Sequence, residues 1–239
     1  LLADLFWPGP LTLVVPRHRQ GTVCDLACAG LASVGLRYPS HPIAQRIIEE
    51  AGRPIAAPSA NRSGHISPTE AAHVLSDLDG RIEAVVEGFA SPVGVESTII
   101  ACLDDRPLLL RHGGITVEAI AEKTGLHLRT QEQGHIIAPG MLESHYAPQA
   151  RVRLNATEIR AGEAVLLFGD ILPAGSDQAR ARLNLSPRGD LTEAAGHLYD
   201  YLRRLDRPDI TGIAIAPIPE SGLGAAINDR LRRAAAPRP

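Results

Sequence analysis

The sequence predicts an α/β protein of two units joined by a linker, and three observations lead to this prediction. Short apolar runs alternate with stretches of helical hydrophobic period, as strands alternate with helices in α/β proteins. Residues 131–150 interrupt that alternation, because they are rich in glycine and proline and carry no sustained period. At 239 residues the chain is long enough for two compact domains. We therefore expect one domain at 1–130, the linker at 131–150 and a second domain at 151–239.

The first domain is predicted from short apolar runs that proline and glycine delimit. A helix is expected at 42–51, because its apolar residues share one face and Gly52 suits a helix C-terminus. The run Ser67-Pro68-Thr69-Glu70 has the capping-box pattern, which predicts that another helix begins there. The predicted strands are 11–15, 33–37, 54–57, 84–86, 98–101 and 108–110, and a further helix is predicted at 117–123.

The second domain continues the alternation. Residues 164–168 form an apolar run that Gly169 ends, which predicts a buried strand. Leucine and alanine recur at helical spacing over 191–205 and predict an amphipathic helix. A core strand is expected at 212–216, and a last helix at 225–235 carries arginines near its C-terminus, where cations suit the helix dipole.

Composition and charge are those of an ordinary globular protein. Hydrophobic residues make up 44% of the chain and charged residues 21%. The net charge of −3 argues against electrostatic binding of nucleic acid over the whole surface, although it is compatible with a local basic groove. Cys24, Cys28 and Cys102 are an odd number without a CxxC pair, which predicts reduced thiols in a cytoplasmic protein. No apolar run approaches the ~18 residues of a membrane helix.

Three clusters of polar residues interrupt the apolar pattern, each at the end of a predicted strand. Rigidly held loops at strand ends carry ligand sites in many α/β proteins. Arginine offers a planar fork for carboxylate or phosphate, and serine, threonine and asparagine supply neutral donors and acceptors. The clusters are Ser33 with Arg37 on one strand face, the run 59–64, and the run 96–98 with 111–114.

The same residues also have ordinary structural interpretations. Serine and asparagine after a strand commonly form turns, and an arginine within a strand can be a solvated edge residue. The chain contains no GxSxG, GxxxxGK[ST] or GxGxxG motif. The residues alone therefore predict a cleft for anions and polar ligands and leave the ligand open.

Seven motifs in order resemble those of the YrdC-like threonylcarbamoyl-AMP synthases in their long, two-domain form. They are distributed along nearly the whole chain, and their order makes the resemblance specific although each motif alone is weak. Five precede the predicted linker, one lies within it and one lies near the C-terminus. They are 6–12, 37–42, 57–64, 95–99, 111–116, 138–141 with 145–148, and 219–231.

The resemblance implies both a fold and a reaction. The fold is a YrdC-like twisted-sheet α/β domain followed by a smaller Rossmann-like α/β domain. In the reaction, L-threonine, bicarbonate and ATP give threonylcarbamoyl-AMP and diphosphate, with Mg²⁺ expected to accompany ATP. A separate transferase complex then modifies the adenosine beside the anticodon of certain tRNAs. Attack of a carbamate on the α-phosphate requires positioning and charge neutralisation more than acid–base chemistry.

The resemblance also assigns binding residues, and it implies no catalytic side chain and no metal ligand. Arg37, Ser59 and Ser97 would contact L-threonine. The ATP pocket would be lined by Ser33, Asn61, Thr69 and Arg111, with Tyr146 from the linker closing over it.

Two departures from the family pattern lead to alternatives. The family carries an upstream segment with a Lys-x-Arg motif, and the resemblance implies that this sequence starts after it, so an inactive, truncated relative is one alternative. His112 stands where the family usually has proline, a mild change beside Arg111. The other alternative is a module that binds double-stranded RNA or tRNA, for which the charge of −3 gives weak support.

Overall fold

The computed structural model describes residues 1–18, 21, 23–88, 90–130 and 145–237. They form two compact units, each an α/β arrangement, which confirms the predicted fold class. The first unit contains the described parts of Leu1–Pro58 and Glu96–Met141, and the second contains those of Ser59–Val95 and Leu142–Pro239. Residues 59–95, called here the 59–95 segment, thus fold with the C-terminal part of the chain. Of the described helices, none combines the length and the hydrophobicity needed to cross a membrane.

The described secondary structure comprises six α-helices and nine strands. The helices are α1 Leu2–Phe6, α2 Pro42–Ala51, α3 Ala71–Leu78, α4 Val117–Thr124, α5 Leu191–Leu205 and α6 Leu223–Ala235. The strands are β1 Leu11–Pro16, β2 Ser33–Arg37, β3 Thr98–Ala101, β4 Leu108–Arg111, β5 Arg129–Thr130, β6 Arg151–Arg153, β7 Glu163–Leu167, β8 Arg182–Asn184 and β9 Gly212–Ile215.

The first unit is built on a mixed five-stranded sheet with the order β2-β1-β3-β4-β5. Strand β1 pairs antiparallel with β2 and parallel with β3, and β3 pairs antiparallel with β4. On one face, Leu11, Leu13 and Ile100 pack with Leu2 of α1 and Ile120 of α4. Because side chains alternate along a strand, the residues between these apolar positions point to the opposite face. There Val14, Ile99 and Ala101 belong to a second apolar cluster, and Thr12 pairs with Arg37 of β2.

The second unit is built on a parallel four-stranded sheet with the order β6-β9-β7-β8. Strands β7 and β9 are buried along their whole length, as expected for the centre of a parallel sheet covered by helices. Helix α5 contributes Leu198 and Leu202 to the core, and α6 contributes Ile227 and Leu231. The Asp190 carboxylate caps α5 by accepting hydrogen bonds from the backbone N–H groups of the first turn.

The 59–95 segment is part of the core of the second unit. Ile66 and Val95 are 4% and 8% exposed and belong to the same apolar cluster as α5. Gly94 approaches α5 so closely that a Cβ there would lie 2.0 Å from the carbonyl oxygen of Ala195. Only glycine fits this contact, which ties the segment to α5.

Most of the elements that hydrophobic spacing predicts are present. The predicted strands 11–15, 33–37, 98–101 and 108–110 correspond to β1 to β4, and 164–168 and 212–216 correspond to β7 and β9. Helix α5 has the predicted bounds, α2 ends at Gly52 in the left-handed conformation, and α4 and α6 agree within two residues.

Three local predictions are wrong. Residues 54–57 and 84–86 are not strands. Pro54 and Pro58 cannot donate to a ladder, and both stretches are largely exposed. The capping box is wrong as well, because α3 begins at Ala71 and its N-cap Glu70 makes no side-chain cap hydrogen bond.

The described end of the predicted linker, residues 145–150, packs in the second unit. The backbone N–H of Ala147 donates to the carbonyl of Gly64 at 2.9 Å. The carboxylate of Asp206 accepts from the backbone N–H groups of Gln149 and Ala150 at 2.8 and 2.9 Å. Residues 131–144 lie outside the described residues, so the boundaries at 130 and 151 stay a prediction.

Candidate functional site

A buried contact between Ser97 and Arg111 joins two of the sequence motifs in the first unit. The Arg111 guanidinium donates to the carbonyl oxygen of Ser97 from Nε at 3.2 Å and from Nη2 at 3.0 Å. Nη2 also lies 3.3 Å from the Ser97 hydroxyl oxygen. Both residues are buried, at 3% and 8% exposure. The arginine fork therefore fixes the backbone and the hydroxyl of Ser97 together.

Thr12 of β1 links this pair to β2. Its hydroxyl forms a 2.7 Å hydrogen bond with the hydroxyl of Ser97. In the sheet register, the Cα of Thr12 faces that of Arg37, and Pro16 faces Ser33. Cross-strand partners point to the same face, so Arg37, Thr12 and Ser33 lie on one face of the sheet. Four of the predicted ligand residues, Ser33, Arg37, Ser97 and Arg111, are thus on neighbouring strands or directly beside them.

The loop after β4 packs directly against the loop before β3, because Gly113 has no side chain to separate them. A Cβ on Gly113 would lie 2.3 Å from the backbone nitrogen of Thr98 and 2.4 Å from the carbonyl of Glu96. Gly114 donates its N–H to that carbonyl at 3.0 Å. The Thr98 hydroxyl donates to the carbonyl of Ile115 and accepts from its N–H. Gly113 is therefore a packing requirement of the contact between these two loops, which carry Ser97 and Arg111.

The second set of predicted residues lies in the 59–95 segment. Ser59 is exposed, and Ala60 adopts a left-handed conformation with φ of 55° that turns the chain. The Asn61 amide nitrogen donates to the carbonyls of Arg62 and His65 at 2.8 and 3.1 Å. Its Oδ1 is buried and has no hydrogen-bond partner among the described residues. Asn61 therefore keeps an acceptor available in a fixed orientation.

Thr69 is held by a histidine that the sequence analysis did not single out. Its backbone N–H donates to Nδ1 of His73 at 3.3 Å, and its hydroxyl oxygen lies 3.3 Å from the same nitrogen. On the other side of the ring, Nε2 of His73 lies 3.6 Å from Oδ1 of Asp200 on α5. The spacing of four residues between Thr69 and His73 is visible in the sequence, but the contact with Asp200 is not.

Tyr146 is a core residue of the second unit. It is 1% exposed and adopts a positive φ of 60°. Its ring stacks on Tyr199 with centroids 5.7 Å apart, and the Arg230 guanidinium lies 5.3 Å from its centroid. The neighbouring His145 donates its backbone N–H to the carbonyl of Arg233 at 3.2 Å. Tyr146 thus anchors the end of the predicted linker to α5 and α6.

The structure divides the eight predicted ligand residues between the two units. Ser33, Arg37, Ser97 and Arg111 belong to the first unit, and Ser59, Asn61, Thr69 and Tyr146 belong to the second. The side chains offer a guanidinium charge, hydroxyls and an amide, which suit a carboxylate, phosphate oxygens and a nucleoside.

Outside these clusters, burial raises the pKa of the Cys102 thiol. A raised pKa keeps that thiol protonated near neutral pH and makes it a poor nucleophile.

Two family models match the chain. Residues 1–113 match the model described as "Telomere recombination", which groups Sua5, YciO and YrdC sequences. Residues 115–236 match the model described as "Threonylcarbamoyl-AMP synthase, C-terminal domain". The 59–95 segment lies within the first of these models, yet it folds in the second compact unit.

Relatives named threonylcarbamoyl-AMP synthase match over nearly the whole chain. That of Bacillus subtilis is 40% identical over 252 residues, which cover 99% of this chain and 72% of the relative. The Pyrococcus abyssi relative is 38% identical and covers 98% and 72%. The Schizosaccharomyces pombe relative is 34% identical and covers 98% and 65%.

Two solved structures of P. abyssi Sua5 resemble this one. The crystal structure of Sua5 complexed with L-threonine has a TM-score of 0.86 and 35% identity, over 98% of this chain and 72% of that chain. A variant in which a histidine and the tyrosine after it are replaced by alanine has a TM-score of 0.84 and 36% identity, over 98% and 71%.

Proposed function

The chain belongs to the threonylcarbamoyl-AMP synthase family, and we propose that it forms threonylcarbamoyl-AMP and diphosphate from L-threonine, bicarbonate and ATP. It is an enzyme of the nucleotidyltransferase type, and it uses ATP as a substrate. The observation that carries this conclusion is the 40% identity with the Bacillus subtilis synthase across 99% of this chain.

The proposed reaction has two bond-forming steps. The amine of L-threonine attacks the carbon of bicarbonate, and water leaves as the carbamate forms. A carbamate oxygen then attacks the α-phosphorus of ATP, and diphosphate leaves with the electrons of the broken phosphorus–oxygen bond. The second step depends on alignment and on neutralising negative charge more than on a protein general base. A site composed of arginine, serine, threonine and asparagine meets that requirement.

We assign L-threonine to Arg37, Ser59 and Ser97. Arg37 is an exposed residue opposite Thr12 on the first sheet, and its guanidinium can form charge-assisted hydrogen bonds with the substrate carboxylate. The Ser97 hydroxyl is held by Thr12 at 2.7 Å and is therefore oriented before a ligand binds. The L-threonine in the Pyrococcus abyssi Sua5 complex supports L-threonine as the substrate.

We assign ATP to Ser33, Asn61, Thr69, Arg111 and Tyr146. The unpaired Oδ1 of Asn61 supplies an acceptor for a nucleoside N–H or hydroxyl donor. The hydroxyls of Ser33 and Thr69 can donate to phosphate oxygens, and Arg111 adds positive charge beside Ser97. Because Tyr146 is buried between α5 and α6, we propose that it acts through the position of the linker end.

Mg²⁺ would accompany ATP through the phosphate oxygens, because this ion favours phosphate and water ligands. The described residues contain no group of three His, Cys, Asp or Glu side chains placed to hold a metal ion. We therefore assign no residue to Mg²⁺.

The product would pass to a second enzyme. Threonylcarbamoyl-AMP is a mixed anhydride that water hydrolyses, so a transferase must consume it soon after it forms. We propose that this consumer is a tRNA threonylcarbamoyl transferase complex in the cytoplasm, which transfers the group to the adenosine beside the anticodon.

Two other functions stay open to test. A module for double-stranded RNA or tRNA would bind RNA without ATP, with an affinity that falls steeply as salt rises. An inactive relative would bind L-threonine and ATP without releasing diphosphate. The net charge of −3 disfavours the first, and the aligned Ser97, Thr12 and Arg111 disfavour the second.

The deciding experiment is ATP–diphosphate exchange by the full-length protein. Labelled diphosphate should enter ATP only when L-threonine and bicarbonate are both present. Exchange that needs neither substrate would contradict the proposed reaction, and tight RNA binding without exchange would favour the RNA-binding module.

A further inference from the structure

We propose that Arg203 of α5 is a positioning residue for the loop that carries Asn61 and Thr69. The inference rests on the proposed function, because both residues are assigned there to the ATP subsite. Arg203 lies 126 residues from its carboxylate partner, Asp77, and nothing in its sequence surroundings marks it for ligand binding.

Arg203 contacts three groups of the 59–95 segment. Its Nη2 donates to Oδ2 of Asp77 at 2.8 Å and to the carbonyl oxygen of Ile66. Its Nε faces the carbonyl of Ser67 at 3.5 Å. The side chains of Arg203 and Asp77 are only 15% and 13% exposed, so water and salt screen the pair less than a surface pair. The rigid guanidinium therefore fixes the loop before α3 relative to α3 itself.

The contact with Ile66 is one peptide unit away from a bond of Asn61. The amide nitrogen of Asn61 donates to the carbonyl of His65 at 3.1 Å, and His65 directly precedes Ile66. Displacement of the Ile66 carbonyl would move the acceptor that orients the Asn61 side chain. Arg203 thus acts on the proposed nucleotide contact through the backbone of the loop.

A second residue of α5 reinforces this position. Oδ1 of Asp200 lies 3.6 Å from Nε2 of His73, whose Nδ1 accepts the backbone N–H of Thr69 at 3.3 Å. Because Nδ1 is the acceptor, Nε2 carries the hydrogen that faces Asp200 in the neutral ring. Asp200 and Arg203 are three residues apart in the helix and therefore lie on one face.

A third contact with α5 holds the C-terminal end of the 59–95 segment. Gly94, with φ of 70°, brings its backbone against Ala195 and Gly196, one turn before Asp200. Near the beginning of the segment, the carbonyl of Gly64 accepts the N–H of Ala147. The loop with Asn61 and Thr69 is therefore held between fixed points, and Arg203 supplies the charged contact among them.

The inference predicts unequal effects on the two substrates. Asn61 and Thr69 of the ATP subsite belong to the segment that Arg203 holds, and so does one residue of the threonine subsite, Ser59. The other two threonine residues, Arg37 and Ser97, belong to the first unit and have their own strand pairing or hydrogen bonds. Loosening the loop should weaken ATP binding more than L-threonine binding. A residue that only stabilised the fold would not separate the two.

The test compares Arg203→Met, Arg203→Lys and Asp77→Asn with the parent in the full-length protein. Dissociation constants for a non-hydrolysable ATP analogue and for L-threonine are measured by calorimetry at a temperature at which each variant is folded. Arg203→Met should raise the constant for the ATP analogue by about tenfold, because the residues assigned to ATP are then less well positioned before binding. Arg203→Lys should fall between it and the parent, because lysine keeps the charge without the fork.

Arg207→Met is the matched control. Arg207 pairs with Asp209 on the exposed surface of the same unit and forms no hydrogen bond or ion pair with the described residues of the 59–95 segment. Its variant should bind both ligands within about twofold of the parent, as is common for exposed pairs.

The outcomes separate this inference from the function on which it rests. A folded Arg203→Met protein that binds the ATP analogue as tightly as the parent, or loses both ligands equally, overturns the positioning role. Should that variant fail to fold, Asp77→Asn decides in the same way, since it keeps the side-chain shape. A parent that binds no ATP analogue overturns the proposed function and this inference together.

Discussion

The carbonyl oxygen of Ser97 accepts two hydrogen bonds from the guanidinium of Arg111, at 3.2 and 3.0 Å. The sequence places these residues fourteen positions apart in two different motifs, and the antiparallel pairing of β3 and β4 brings them together. This contact connects the residue assigned to L-threonine with one assigned to ATP. Each of these two motifs therefore depends on the other for its geometry.

Arg111→Met should affect both stability and nucleotide binding. The variant leaves the buried Ser97 carbonyl without its two donors, which should lower the free energy of unfolding by about 1–3 kcal/mol. ATP affinity should fall more than L-threonine affinity, because only the nucleotide loses a charged partner. Calorimetry with each ligand measures the difference, and equal loss of both ligands would show that Arg111 is structural.

Arg37→Ala should largely abolish threonine-dependent diphosphate release. Loss of a charge-assisted contact with the substrate carboxylate should cost roughly 1.5–3 kcal/mol, which is a tenfold to hundredfold loss of affinity. Arg46→Ala is the control, because Arg46 is an exposed arginine of the same unit that pairs with Glu50. Near-normal L-threonine affinity in Arg37→Ala would remove Arg37 from the site.

Hydrophobic spacing was enough to predict the sheet strands and helices that have long apolar faces. Helix α5 illustrates this, because its leucines and alanines define both the face and the bounds. Hydrophobic spacing does not predict structure that depends on distant partners. Strand β6 has three residues and begins and ends with arginine, so its strand conformation depends on pairing with β9 and not on a local hydrophobic pattern.

The candidate site also has features that the local sequence predicts and features that depend on distant contacts. The residue types at strand ends predicted Arg37, Ser97 and Arg111 as polar candidates, and the structure places Ser97 and Arg111 in contact. The membership of the 59–95 segment in the second unit could not be predicted, because it rests on contacts such as Arg203 with Asp77 that span more than half of the chain. The hydrophobic period of a segment depends on its own residues and does not indicate a contact with a residue far along the chain.

Gly113→Ala should displace the Ser97 loop. The added Cβ would lie 2.3 Å from the Thr98 nitrogen, so backbone must move. We expect a loss of stability of about 1–3 kcal/mol, typical of overpacking, together with weaker L-threonine binding. Gly35→Ala is the control, because its Cβ would make an ordinary 3.5 Å contact with Thr12. Melting curves and calorimetry measure both effects, and a Gly113→Ala protein as stable as Gly35→Ala would contradict the packing argument.

Glu163→Gln should change how the stability of the second unit depends on pH. Burial raises the pKa of Glu163, but hydrogen bonds from Arg153 and from the Arg160 backbone N–H, with the attraction of both arginines, lower it more. Its pKa in the folded protein is thus below the ordinary value of 4.5. Because a lowered pKa stabilises the fold above the unfolded-state value, this contribution is complete above that value and is lost as the pH falls through the folded pKa.

The parent should therefore be more stable than Glu163→Gln at pH 7, by about 1–3 kcal/mol for a charged hydrogen bond. The difference should shrink as the pH falls below 4.5, the ordinary pKa of the group. Chemical denaturation at a series of pH values measures it, with the exposed Glu83→Gln as the control. A difference that stays constant across the whole pH range would show that Glu163 acts by packing and not by its charge.

The most direct test of the account is the detection of threonylcarbamoyl-AMP itself. The full-length protein is incubated with ATP, L-threonine and isotope-labelled bicarbonate, and the products are separated and identified by mass spectrometry. We predict a species with the mass of threonylcarbamoyl-AMP that carries one labelled carbon, formed together with an equal amount of diphosphate and lost in Arg37→Ala. Release of diphosphate without that labelled species, or a labelled product formed equally well by Arg37→Ala, would contradict the proposed reaction and its site.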